Sequence, residues 1–413
     1  MANTTLTASI IAKTALPILE NELGFLGKMN RGWEAEYSTN VNGYKPGASV
    51  DLRRPADFTV RSGATLSVQD VIEGKNTLTV DQQKGVDFEF TSTELTLDVA
   101  QLGERVIKPA MSSLVNEIAE DVLSTMYKGL YHWVGTPGQT INSFADWAKG
   151  PERLDEMAVN QSGRNAILSP ADHWGMVGSL TGLGVESAVG GALRNGRLGM
   201  IGQVDTWMSA VLPSHTVGAH GGTPLVDGAS QNSTYDNAKN TWTQTLITDG
   251  WATSQDLKEG DVFTIAGVNM VNPKTKADTG ILQQFVVTAD VTTNASASLD
   301  TSIVISPPII TSGPHQTVTA APADNAAITY AGTAGTSYKQ NIFFHEDTMA
   351  LAMVPMERPA GAVDVGRESR NGVSVRVIPV YDVTNDKSQW RLDVLYGRKV
   401  ADPRTGLRAS GTA

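Results

Sequence analysis

Between Glu94 and Leu130 the chain reads ELTLDVAQLGERVIKPAMSSLVNEIAEDVLSTMYKGL, and this stretch constrains the fold more than any other. Met111, Leu114, Val115, Ile118, Val122 and Met126 recur at three- and four-residue steps, which predicts a long helix with one apolar stripe. Ser112, Asn116, Glu117, Glu120 and Asp121 fall largely off that stripe. Pro109 removes a backbone donor, so a break near Val106 to Lys108, or a fresh start with proline in the first turn, is predicted. Burying six such side chains is worth roughly 10 kcal/mol before entropy is subtracted. A helix of this length needs a broad surface to lie on, from elsewhere in the chain or from another copy.

The residues ahead of it change period. Val50 and Leu52 alternate with Asp51 and Arg53, and Phe58 and Val60 follow. Leu78, Val80, Val86, Phe88 and Phe90 continue the two-residue rhythm. With Gly63, Gly74 and Gly85 between, residues 49 to 92 read as a long antiparallel hairpin lined by charges of both signs. A two-stranded ribbon is marginal alone and needs another surface. Before it, Ile11, Leu16, Leu19, Leu23 and Leu26 form an apolar face that Pro17 interrupts. That segment suits a helix packed on its own domain or an arm docked on a neighbour. Residues 31 to 48 read as an extended connector.

After the long helix, His132 to Gly150 reads as a turn-rich loop, Pro151 to Val159 as helix and Asn165 to Leu168 as a short buried strand. A helix over Pro170 to Leu180 is capped by Ser169, and a glycine-rich run follows from Gly182 to Gly202. From about Val217 to Tyr338, Thr, Asn, Ser, Ala and Gly dominate. Strand-like runs at Trp242–Ile247, Val262–Ala266, Phe285–Val291 and Ser302–Ser306 suggest a small all-β barrel or sandwich set into the chain. The earlier character returns at Gln340. Strands are predicted at Asn341–Phe344, Met349–Val354, Val373–Tyr381 and Gln389–Val400. The inserted block therefore interrupts a unit that begins before it and ends after it.

Chemistry is hard to find. The chain of 413 residues has no cysteine, which removes disulfides, thiolate metal sites and cysteine nucleophiles together, and suits a reducing cytoplasm. No phosphate-binding loop and no serine elbow are present. His345, Glu346 and Asp347 are adjacent, so on a strand they would point to opposite faces, and a surface turn is the favoured reading over a metal site. No catalytic residue, metal ligand or cofactor is expected. Met349, Met353 and Met356 suit core or interface filling. Arg391, Arg398, Lys399, Arg404 and Arg408 could touch nucleic acid, or form strand edges and ion pairs between subunits. The formal charge of −11, from 32 basic and 43 acidic residues, argues against tight DNA binding as the main task. No signal peptide is evident, and no run reaches the ~18 apolar residues of a membrane span, so no membrane partner is expected.

The order of parts resembles the major capsid (coat) protein of tailed bacteriophages, in the podovirus-type branch that carries an inserted β-barrel domain. LKEGDVFTIAGV at Leu257–Val268 resembles a signature strand pair of that insertion. KQNIFFHEDTMALAMVPMERPAG at Lys339–Gly361 resembles the re-entry strand and loop, and WRLDVLYGRKVADP at Trp390–Pro403 the closing strand. The resemblance implies an α+β capsid fold with an N-terminal arm over 1–45 and an extended hairpin loop over 46–92. It implies a spine helix and peripheral domain over 93–149, an axial domain over 150–216 and 339–372, the inserted β domain over 217–338, and return strands over 373–413.

The function implied is structural: self-assembly into an icosahedral shell around double-stranded DNA, with no catalysis. The partners implied are copies of the chain in pentamers and hexamers, a scaffolding protein, a portal protein and a decoration protein, with packaged DNA touched only weakly and non-specifically. Assembly is expected in the host cytoplasm and residence in the virion. On this reading Asp51, Arg53, Arg54, Asp57, Arg61 and Glu73 of the hairpin would meet a neighbouring subunit, and Asp227, Asp236 and Lys239 would make contacts between capsomers. A tail or decoration protein, and a β-rich carbohydrate-active enzyme, are the competing expectations. The long helix counts against the first, and the absence of a marked acid pair with aromatics against the second.

Overall fold

The structure, a computed structural model, describes residues 8–33, 37, 47–66, 68–91, 103–180, 198–294, 296, 299–359, 361, 364–370 and 373–412. Most of the expected connector, the beginning of the helical stretch at 94–102 and the glycine-rich run at 182–197 lie outside the described residues. The chain forms two compact units. One comprises Met1–Asp51, Thr77–Val122 and Met349–Lys399; the other comprises Leu52–Asn76, Leu123–Thr348 and Val400–Ala413.

The long helix runs over Lys108–Gly129, entered through a π-helical turn at Gly103–Ile107, so Pro109 falls in its first turn as the missing donor requires. The stripe Met111, Leu114, Val115, Ile118, Val122 and Met126 is buried, joined by Ala119 and Leu123, while Asn116, Glu117 and Glu120 are exposed.

The first unit is built on a six-stranded sheet in the order Ser49–Arg53, Lys75–Thr91, Lys387–Val400, Val373–Asp382, Gly366–Arg370, with Met349–Met353 also paired to Lys387–Val400. The alternating strand Lys75–Thr91 keeps its period, but its long partner is the closing strand, in register from Gln82 opposite Tyr396 to Thr91 opposite Lys387, with a one-residue shift between Val80 and Gln82. Lys84 Nζ reaches Glu117 at 2.7 Å, and Asp121 receives the Tyr396 hydroxyl and the Arg398 guanidinium, each at 2.6 Å. These contacts seat the first part of the long helix across the two strands.

A second helix, Ala8–Glu22, packs on Gly366–Arg370 and Val373–Asp382. It continues through Pro17, which lies on the exposed side with Lys13, where the carbonyl that loses its partner can be hydrated. Gly366 lies so close to its first turn that a Cβ there would stand 2.2 Å from the Ala8 carbonyl oxygen.

The second unit contains two six-stranded sheets. One is ordered Trp133–Val134, Gly406–Ala409, Asn341–His345, Arg164–Leu168, Val204–Met208, Gly199–Ile201, with Trp147, Leu154, Met176, Phe343 and Leu407 in its core. The helix packed there begins at Phe144, where the Ser143 side chain accepts from the Asp146 amide, rather than at Pro151. Trp147, Gly150 and Leu154 form its buried face, so packing carries the helix past the missing amide of Pro151. Ser169 caps Pro170–Leu180, accepting from the Asp172 amide at 3.2 Å.

The other sheet is ordered Ile328–Tyr330, Val262–Val271, Asp278–Val287, Thr301–Ser306, Gln244–Trp251, Gly222–Val226, with its own core of Leu246, Trp251, Phe263, Phe285, Ile303 and Ile305. The third strand therefore precedes its expected position at Phe285–Val291, because Phe285 must lie opposite Phe263 in the hairpin. The chain leaves along Ser214–Thr216 and returns antiparallel to it along Ser337–Lys339, with His215 opposite Tyr338.

Candidate subunit-contact surface

Ser49–Arg53 and Lys75–Thr91 are neighbours in the first sheet, and between them the described residues of 54–74 form a loop without regular strands. The expected alternation through Phe58 and Val60 is therefore not a strand ladder. Two local links hold the arms of the loop together instead. The Arg54 amide donates to the Gly74 carbonyl at 2.8 Å. Further out, the Gln69 side chain accepts from the Thr59 amide at 2.8 Å and returns a bond to the Thr59 carbonyl at 2.6 Å. Beyond the outer link Val60 is 98% exposed, Val68 81% and Leu66 79%, and between the two links Val71 is 64% and Phe58 57% exposed. Leaving these side chains in water forfeits their burial energy within the single chain.

The charges expected to meet a neighbour divide into two groups. Asp51, Arg53, Arg61 and Glu73 are exposed. Arg53 pairs with Glu73 at 3.6 Å, the Thr77 hydroxyl donates to Asp51 at 2.8 Å, and Arg61 donates to the Gly63 carbonyl. Arg54 and Asp57 make contacts within their own unit. The Arg54 guanidinium lies over the Trp242 ring, 5.3 Å from its centroid, and burial lowers its pKa. Asp57 is bound by Arg404 at 2.8 Å and His315 at 3.4 Å. Burial alone would raise its carboxyl, but His315 and Arg404 outweigh burial and hold it well below the usual carboxylate range.

Of the residues in the inserted block, Asp236 and Lys239 pair with each other at 2.7 Å along the short helix Tyr235–Ala238. Asp227 stands apart from them, raised above its ordinary pKa by the neighbouring carboxyl of Asp300. The structure thus gathers Arg54 and Asp57 with three residues that sequence reasoning did not connect to the hairpin: Trp242, His315 and Arg404. No local pattern links them, since Asp57 and Arg404 are 347 residues apart.

The basic C-terminal residues are largely engaged within the chain. Arg391 and Arg376 both bind Asp393, Arg398 binds Asp121, and Arg404 binds Asp402 and Asp57. Arg408 is fully buried; it donates to the Leu130 carbonyl at 2.8 and 3.1 Å and to the Gly260 carbonyl at 2.7 Å. His345 ends a strand and Glu346–Thr348 form a 3-10 turn in which the Asp347 amide donates to the imidazole at 3.3 Å. Among the described residues no group of three or more His, Asp or Glu side chains is arranged to hold a metal ion.

No curated protein matches the sequence. Among solved structures, a chain from Mycobacterium phage Che8 is 12% identical with a TM-score of 0.48, over 93% of this chain and 89% of that one. A chain of the bacteriophage PhiM1 mature capsid is 11% identical with a TM-score of 0.40, over 88% of this chain and 82% of that one. The CUS-3 coat protein I-domain is 31% identical, covering 27% of this chain and 96% of that one, with a TM-score of 0.19. The family model described as P22 coat protein, gene protein 5, matches residues 28–411, through ribbon, long helix, inserted block and closing strands alike. On that match this chain belongs to the P22 coat protein family and is a major capsid subunit of a bacteriophage shell.

Proposed function

We propose that this coat protein clasps a neighbouring copy in the icosahedral shell through the apolar tip of residues 58–71, with Asp51, Arg53, Arg61 and Glu73 fixing register along the ribbon. The observation that carries this reading is the exposed run of Phe58, Val60, Leu66, Val68 and Val71 on a loop that its own chain leaves uncovered. Each contact of this kind is weak, and repetition around a closed shell supplies the stability. Charges beside an apolar tip give partner choice more than affinity.

The domain assignment follows the same reading. Residues 1–45 are the arm, with the helix Ala8–Glu22 seated on its own sheet. Residues 46–92 are the extended loop and 217–338 the inserted domain; of the peripheral segments (93–149, 373–413) and axial segments (150–216, 339–372), Met349–Met353 and Gly366–Arg370 pair within the sheet of the closing strands and Gly406–Ala409 within the sheet of Arg164–Leu168. The inserted domain carries Asp227, Asp236 and Lys239 toward other capsomers. Scaffolding, portal and decoration proteins are its further partners, and assembly takes place in the bacterial cytoplasm. The subunit performs no catalysis. Its net charge of −11 keeps packaged double-stranded DNA from adhering to the wall.

The test is the double substitution Phe58→Ser with Val60→Ser, co-expressed with scaffolding protein. The subunit is expected to remain folded, with its thermal unfolding unchanged, while electron microscopy shows few or malformed shells. Shells of normal yield and size would remove the tip from the contact.

A further inference from the structure

The contact loop is not free to swing at its root. On one arm, Asp57 binds Arg404 at 2.8 Å and His315 at 3.4 Å. Arg404 is itself held by both carboxylate oxygens of Asp402, at 3.0 and 3.2 Å from Nε. The guanidinium groups of Arg404 and Arg54 both lie over the Trp242 ring, 5.5 and 5.3 Å from its centroid. On the other arm, the Lys75 amide donates to the Asn240 side chain at 3.2 Å. Gly74 approaches so closely that a Cβ there would stand 2.1 Å from the Lys239 carbonyl oxygen. Ile72 packs against the buried cluster of Tyr235, Trp242 and Ile310. Both arms therefore rest on residues 235–242 and on the segment around Ile310 and His315 of the inserted block, and the first arm rests also on Arg404 of the C-terminal segment.

A loop of this length with few internal bonds would sample many directions, and docking its tip on a partner would carry the ordering entropy at that moment. A root fixed on both arms removes most of that cost before the partner arrives. The fixation is electrostatic on one side and steric on the other. A carboxylate between two partners in a half-buried site is screened far less than a surface pair.

We propose that the inserted block, together with the C-terminal segment that carries Arg404, is the seat that aims the subunit-contact loop, with Asp57 as the pin that ties the loop to the block through His315 and to that segment through Arg404. The proposal rests on the reading of residues 58–71 as a subunit contact. It gives the insertion a task inside its own subunit, distinct from any contact between capsomers: presenting the tip in one direction.

The chain lacks cysteine, so spin labels at Ser62→Cys and Lys274→Cys report the distance from the tip to the inserted block without background. In the unassembled full-length subunit, the distance distribution is expected to be single and narrow. With Asp57→Asn added, it is expected to broaden at least twofold, while circular dichroism and thermal unfolding show a folded subunit. The same substitution in the unlabelled chain, expressed with scaffolding protein, is expected to lower shell yield several-fold or scatter shell size. Unchanged width in both Asp57→Asn and Asp57→Ala would overturn the pin. Broadening accompanied by normal shells would overturn the aiming role. Failure of the tip reading alone is recognised separately, because Phe58→Ser with Val60→Ser would then leave shells normal while Asp57→Asn still disturbs them. Should Asp57→Ala fail to fold, the near-isosteric Asp57→Asn retains the test.

Discussion

Arg408 lies fully buried between the rings of Tyr127 and Trp133, 5.3 and 5.6 Å from their centroids, with its donors spent on the Leu130 and Gly260 carbonyls. Burial lowers its pKa, and the cation persists because those acceptors and the two ring faces replace its hydration. Removing it strands the carbonyl oxygens and opens a large void. Arg408→Ala is expected to destabilise the subunit by about 3–5 kcal/mol, and Arg408→Lys by less, since lysine retains the charge but not the fork. Urea unfolding of the unassembled chain measures both. Asp57 yields a second expectation at this scale. Its carboxyl is depressed on folding, so it contributes stability at every pH above its unfolded value of about 4, and loses that contribution as pH falls toward the folded value. Stability is expected to keep this contribution from pH 7 to about 5 and to shed it below about 4. Asp57→Asn should flatten that part of an acid titration of unfolding free energy.

The long helix and the strand Lys75–Thr91 were readable as elements because burial on one side imposes a period, 3.6 residues for a helix and 2 for a strand. Ile118 on the buried stripe has no exposed surface, while Glu117 one position away is exposed and pairs with Lys84. Ile118→Ala is expected to cost about 2–5 kcal/mol. Glu117→Ala is expected to cost no more than about 1 kcal/mol, the range of a solvated ion pair. Denaturant midpoints of the two variants decide whether the stripe carries the helix. The helix start at Phe144 escaped notice because Pro151 reads as a boundary; the serine cap and the Trp147–Leu154 face had already begun the helix a full two turns earlier.

At the level of the whole chain, neighbouring residues of like charge have different tasks. Arg53 is exposed beside Glu73, whereas Arg54 lies over Trp242. Arg53→Glu is expected to leave subunit stability within about 0.5 kcal/mol while reducing shell yield. Arg54→Glu is expected to destabilise the subunit itself, by placing a carboxylate beside an aromatic face and near Asp402. Comparing unfolding midpoints with shells counted by electron microscopy separates the two effects.

Local order in the sequence was enough to mark the long helix, the alternating strand Lys75–Thr91, the β-rich character of the inserted block and the succession of parts by which the family is recognised, while the structure decided between a break and a proline start for the helix. Side-chain period and capping act over a few residues, so they are written wherever those residues are written. Tertiary structure alone decided that Lys75–Thr91 pairs with the closing strand, and that Arg54 and Asp57 meet Trp242, His315 and Arg404. Which charge meets which depends on how distant segments are brought together, and a one-dimensional pattern does not encode the partner of a group 347 residues away.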